Sequence, residues 1–324
     1  RQTLLAVLAA MQRAAPASII KIGGFPPWPF KYTTHGGSGK HEGVATEWEF
    51  TRLISQYNAY HEADAAAPGA IANASFMTHY PLQDRYPQPN PKPTLLQWQA
   101  AGYVDEKGQV AAKLFVGHYV GDYDSPAWLY KAVPAFFNDD QRGRVPLAWA
   151  FDPNLADRAP QALVYAYQHA TENDFFIAGD SGAGYLNPRA LTIRPDSKLL
   201  SGLELWRDHN ESYFDRWGMT ITGFVLDGAA GSSTEQEFSA YRTFSPDGCG
   251  VHYGWPAPPR AIAGVPTCPH HDLPNSPQAA AAFIATEASK VTSGPRFLWA
   301  RSILKSPTWY AQVSQILREQ YPDA

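Results

Sequence analysis

Five aspartates occupy positions from which this chain could do chemistry. Asp122 and Asp124, Asp152, Asp180 and Asp227 each follow an apolar run that reads as a β-strand. Carboxylates crowded at one mouth repel each other, so some must hold a proton more tightly than usual. A protonated carboxyl beside an ionised one is what hydrolysis of a glycosidic bond requires. The same acids could instead hold a divalent cation. Asp is also a common cap and turn residue, and Asp152 before Pro153 suits that plainer role. Asp180 is the most informative of the five. Asp174-Phe-Phe-Ile-Ala-Gly-Asp180 ends at once in Ser181-Gly-Ala-Gly184-Tyr185, a turn that lets backbone bend sharply past a buried strand. Ser181 lies in no G-x-S-x-G elbow, and no His is placed by sequence as its base, which argues against a serine hydrolase.

The elements that must position these acids alternate in type. Strands are expected at 18–25, 70–76, 113–119, 145–151, 174–178, 219–226 and 295–303, with a short one near 250–253. Helices are expected at 47–66, 125–137, 160–171, 200–217, 234–243, 276–290 and 308–320. Near-continuous apolar strands, each followed by a helix, describe an α/β fold, a (β/α)7-8 TIM-like barrel with parallel strands and helices outside. The acids would then share the C-terminal mouth. No G-x-G-x-x-G follows the first strand, so a dinucleotide-binding open sheet lacks support. No composition break marks a linker, so 1–324 reads as a single barrel domain with an irregular Pro/Gly-rich insertion at about 245–276.

Residues expected near the same mouth are candidates for substrate contact. Trp28 and Lys31 sit in the stiff loop Phe25-Pro-Pro-Trp-Pro-Phe-Lys31. Glu47 begins a helix, Asn73 and Ser75 share one parity of an expected strand, and His118, Asp152, Tyr185 and His252 complete the set. Plainer roles exist for several: a charge at a helix start for Glu47, a core histidine for His118, a loop histidine for His252. Aromatic residues make up 13% of the chain, and rings that do not fill the core stack on sugars. That tips the acidic cluster towards carbohydrate.

A net charge of −4 gives no reason to expect a nucleic-acid partner. No apolar run is long enough to span a membrane. The run from Thr3 to Met11 reads as a first amphipathic helix or, less readily, as part of a signal peptide. Cys249 and Cys268 suit a disulfide first, free thiols second, and third a zinc site with His252 and His270. No cofactor is expected.

Ser181-Gly-Ala-Gly184-Tyr185-Leu-Asn-Pro188 resembles the G-x-G-Y-x-Y-P signature of the putative glycoside hydrolase family named after it, with Asn187 in place of the second Tyr. Gly121-Asp122-Tyr-Asp124 with Trp128 is similar to that family's Asp-Gly-Asp-Asn element. Asn73-Ala-Ser-Phe76 with Pro81-Leu82, and Arg142-Gly143 leading to Trp149 and Pro153, extend the likeness over roughly 19–228. The resemblance implies a (β/α) barrel acting on a glycosidic bond, and an exported bacterial protein, secreted or periplasmic. A carbohydrate-binding barrel without catalysis and a metal-dependent hydrolase remain as alternatives.

Overall fold

The computed structural model of this 324-residue chain describes residues 2–23, 46–62, 73–123, 126–251 and 259–322. In chain order the elements are α1 (Gln2–Ala14), β1 (Ile20–Ile22), α2 (Thr46–Ser55), β2 (Ala59–His61), α3 (Ala74–Met77), α4 (Leu95–Ala100), β3 (Leu114–Tyr123), α5 (Pro126–Phe137), β4 (Leu147–Phe151), α6 (Pro160–Gln168), β5 (Asp174–Asp180), α7 (Leu203–Trp217), β6 (Ile221–Val225), α8 (Glu235–Phe244), β7 (Gly248–Val251), β8 (Arg260–Ile262), β9 (Val265–Asp272), α9 (Pro277–Ala288), β10 (Arg296–Ile303) and α10 (Pro307–Gln320).

Seven of the strands close into an all-parallel barrel in the order β3, β4, β5, β6, β7, β9, β10 and back to β3. Helices surround it, as the alternating pattern leads one to expect. Strand β8 is a short antiparallel hairpin partner of β9. The outward strand faces, with Val120, Trp149, Phe151, Phe176 and Val225, join the helices in the main hydrophobic core. A second, smaller cluster of Tyr119, Ala150, Ile177, Phe224 and Leu226 lies against Trp299 and belongs to the opposite, inner face. Alternation along each strand sorts the residues in this way.

Three expectations are corrected. The strand expected at 18–25 forms β1, but it pairs only with β2, outside the barrel. There α1, β1, α2 and β2 bury Leu8, Ile20, Ile54, Tyr57 and Ala59 in a core of their own. The strand expected at 70–76 is absent over its described part. Asn73 takes a left-handed φ of 63° and its carbonyl accepts from Phe76 and Met77 N–H, so the chain turns into α3 instead. Asn tolerates that conformation better than most residues. The segment 245–276 is no insertion. It supplies β7 and β9, without which the barrel would not close. Pro266 and Pro269 within β9 disguise it, because proline normally argues against a central strand.

The disulfide reading also falls. Cys249 and Cys268 are both free thiols. They stand on adjacent strands, but the register pairs Cys249 with Thr267 and Cys268 with Gly250. Paired residues share a face, so Cys249 lies in the outer core while Cys268 faces in with Gly250.

The barrel interior is filled by a few large rings rather than by layers of branched side chains. Tyr119 meets His270 edge-on at 5.1 Å and Phe224 at 6.2 Å, and His270 lies 5.0 Å from Phe224. The Trp299 indole N–H donates to the Gly223 carbonyl at 2.8 Å, spanning the lumen. Gly250 makes room for this packing, since a Cβ there would stand 2.5 Å from Trp299 Nε1 and 2.8 Å from His270 Nε2. Replacing Gly250 by Val is expected to lower stability by about 2 kcal/mol or more through overpacking. Gly294, where a Cβ meets nothing, serves as control. Gly294→Ala should leave the urea midpoint within error of wild type, and an equally benign Gly250→Val would refute the packing account.

Candidate active site

The ring packing gives the C-terminal mouth its floor. Phe224 sits there, with Trp48 of α2 leaning over it at 6.3 Å. Arg301, near the end of β10, lays its guanidinium 5.2 Å above the Phe224 ring. It also donates to Asp272 at 2.9 Å. Trp48, Phe224, His270, Trp299 and Arg301 were not among the expected site residues. Period-2 alternation within 295–303 held a clue for Trp299 and Arg301. Nothing local places His270 inside a barrel, because its strand was hidden.

Four of the five expected acids lie among the described residues. Strands β3, β4, β5 and β6 are neighbours, so Asp122, Asp152, Asp180 and Asp227 come at the same end of consecutive strands. Asp122 lies beside an irregularity in register, where β3 carries one residue more than β4 between Val120 and Tyr123. Asp152 is fully buried, and its side chain makes no capping bond to the 3-10 turn Pro153–Asp157 that it precedes. Its carboxyl instead covers Gly179, whose missing side chain leaves the space. Asp180 ends β5, 6% exposed, in register with Phe224. Asp227 is buried and tied to its own loop. It accepts from Gly228 N–H at 2.9 Å, Ser233 N–H at 2.9 Å and the Ser233 hydroxyl at 3.3 Å. Among the described residues, no three His, Cys, Asp or Glu side chains gather as a metal ion would need.

The turn after Asp180 is held from every side. Ser181 adopts a left-handed φ of 67°, unusual for a residue with a side chain. Its N–H donates to Phe224 O at 2.7 Å, and its hydroxyl accepts from Leu226 N–H at 2.8 Å. Tyr241 donates to its carbonyl at 2.8 Å. These bonds lock β5 to β6 directly behind Asp180, and they bury the hydroxyl. The glycines make room for neighbouring protein. A Cβ on Gly182 would strike Asn210, which accepts from Ala183 N–H at 2.8 Å. A Cβ on Gly184, at φ 118°, would enter the Tyr60 ring.

The same turn is the seam between barrel and N-terminal lobe. Tyr185 and His61 exchange backbone hydrogen bonds of 3.0 and 3.1 Å, and their rings stack at 4.9 Å. His61 is fully buried beside Thr51, 3.0 Å from its hydroxyl, and burial pushes its pKa down to about 3. Asn187 donates its N–H to the Ser55 hydroxyl at 2.9 Å, and its side chain caps the turn at Pro188–Leu191. That gives Asn187 a structural reason where the signature has Tyr. An ion pair between the buried Glu62 and the partly exposed Arg158, at 2.6 Å, completes the seam.

His118 and Asn73 do not reach the mouth. His118 shares the parity of Val120 and points outward, edge-on to Tyr310 of α10 at 5.2 Å. Burial pushes its pKa down to about 4. Asn73 is exposed before α3 rather than inside a strand. Glu47 lies in the first turn of α2. Trp28, Lys31, Asp124 and His252 fall outside the described residues.

Residues 112–254 match the family model of the GxGYxYP putative glycoside hydrolase C-terminal domain. The resemblance read from Asp122 through Tyr185 therefore holds over this span, whereas its part before residue 112 lies outside the match. A crystal structure of a putative hydrolase from Bacteroides thetaiotaomicron superposes with a TM-score of 0.61 at 18% identity, over 83% of this chain and 51% of that one. At that identity the likeness is one of fold. The chain thus spans about half the length of this structural relative. No curated protein matches.

Two measurements test the site's framework. His118 stays neutral in the fold down to about pH 4 but takes up a proton near its ordinary 6.5 when unfolded. The unfolded state therefore binds more protons in that window, and stability must fall as pH drops from 6.5 to 4. His118→Leu should remove up to about 1.4 kcal/mol per pH unit from that slope in urea titrations; an unchanged slope would contradict the assignment. Gly184→Ala should cost about 2 kcal/mol or more by forcing Tyr60 off the turn. A wild-type melting temperature would show that the seam tolerates the methyl.

Proposed function

We propose that this chain, whose residues 112–254 match the GxGYxYP putative glycoside hydrolase C-terminal domain, hydrolyses a glycosidic bond of an oligo- or polysaccharide at the C-terminal mouth. One observation carries the reading: four neighbouring strands each have an aspartate within two residues of their C-terminal end, at the same end of the barrel as an aromatic floor. Apolar sugar faces stack on rings such as Trp48 and Phe224, while carboxylates at the rim reach the glycosidic oxygen and the anomeric carbon.

Asp180 is the centre of this mechanism. It stands between Asp152 and Asp227 on neighbouring strands, and the strained Ser181 behind it leaves it little freedom to move. One carboxyl of the rim donates its proton to the departing sugar oxygen. A second, ionised carboxylate either attacks the anomeric carbon or deprotonates the water that does. Asp227, which accepts three hydrogen bonds from its own loop, suits the ionised role. Asp122 near the end of β3, and Asp124 two residues further along the sequence, are the further candidates for the acid. Arg301 over Phe224 offers donors to substrate hydroxyls.

A screen of neutral and acidic glycans against wild type and Asp→Asn variants tests this. Asp180→Asn should lower kcat at least about 10³-fold with its melting temperature kept, as expected for a group acting in the transition state. Asp227→Asn should lose activity and also about 1–3 kcal/mol of stability, because an amide nitrogen would face the Ser233 donors. Glycan binding without turnover, unchanged in Asp180→Asn, would instead identify a carbohydrate-binding barrel. A screen with neither turnover nor binding would sink both readings.

A further inference from the structure

The barrel has a second opening that the rim chemistry does not use. At the N-terminal ends of the strands, a cavity of about 560 Å³ lies beneath the plug of rings. Barrels of this kind usually close that end with side chains, and function there is uncommon. Here the wall is mainly apolar: Phe115, Ile221, Pro266, Phe297, Leu298 and the underside of Trp299. The inward-facing thiol of Cys268 stands in the same wall.

The apolar surface continues out of the cavity. Phe297 is 48% exposed and stacks on Phe115 at 5.4 Å, and Phe115 meets Tyr103 edge-on at 5.8 Å. Tyr103 is 45% exposed and carries the Lys113 ammonium over its ring at 5.9 Å. On the other side of the opening, Arg260 of β8 lines the cavity. The carboxylate lining it, Asp247, is paired with Lys92. The opening is therefore an apolar chamber with cations at its edge. Its size and lining match those of small-molecule sites rather than of a packed core.

We infer that this chamber binds a free amphiphilic carboxylate, with the acyl chain inside against Phe115 and Phe297 and the acid head at Arg260. The apolar chain replaces water on an apolar wall, and the head keeps its charge at the solvent edge. This site is independent of the glycosidase reading, because the ring plug separates it from the acidic rim.

Sodium decanoate, below its micelle concentration, is the probe, and calorimetric titration is the readout. Saturable one-to-one binding is expected. Arg260→Glu, a change on an exposed residue, should weaken it at least tenfold. Cys268→Phe should abolish it by filling the chamber, with circular dichroism reporting whether that variant folds. If it does not fold, Arg260→Glu decides alone. Decyltrimethylammonium should bind at least tenfold more weakly than decanoate to wild type. No saturable decanoate binding, equal binding of the cationic analogue, or an unaltered affinity in Arg260→Glu would each overturn the proposal.

Discussion

The structure depends on how its seven-stranded barrel is filled. A narrow parallel barrel has room for few side chains, and this one spends that room on the rings of Tyr119, Phe224, His270 and Trp299. Large rings from four strands demand bare backbone where they meet the wall, which is why Gly223 and Gly250 face them. The packed rings divide the lumen. Above them lies the mouth with its acids, and below them the apolar chamber. Both ends of the molecule owe their chemistry to that partition.

The glycine-rich turn after β5 carries a second constraint. It must place Asp180 at the rim while accepting a neighbouring lobe. Ser181 gives up a relaxed backbone to do this, and three hydrogen bonds hold it there. Tyr60, His61 and Ser55 then close on Gly184, Tyr185 and Asn187 from the lobe side. The turn is thus a joint as much as a wall of the site. Through it, α2 brings Trp48 over the mouth, so the lobe contributes to the site it adjoins.

Much of the barrel was legible in the sequence. The strands β3 to β6 and β10, with their helices, follow from apolar runs and caps that act locally. Where local signals failed, the reason is physical. β9 contains two prolines, so it reads as loop, yet its neighbours β7 and β10 hold it in the wall. Around Asn73 the residues suit a strand, but a single left-handed residue turns the chain into a helix. His118 and Asp152 were equal candidates by type, and strand parity separated them, turning His118 towards α10 and Asp152 towards the rim.

The sequence by itself determined that carboxylates end four successive strands, because strand, acid and turn are neighbours along the chain. It likewise determined that the Ser181–Pro188 turn must be special, since its glycines and tyrosine are contiguous. Only the tertiary structure decided what the turn is pressed against, which face each cysteine and histidine takes, and that His270, Trp299 and Arg301 share a lumen with Phe224. Those outcomes depend on closure of the barrel. Closure brings β10 back to β3 across 180 residues or so of intervening chain, a distance over which no local pattern carries information.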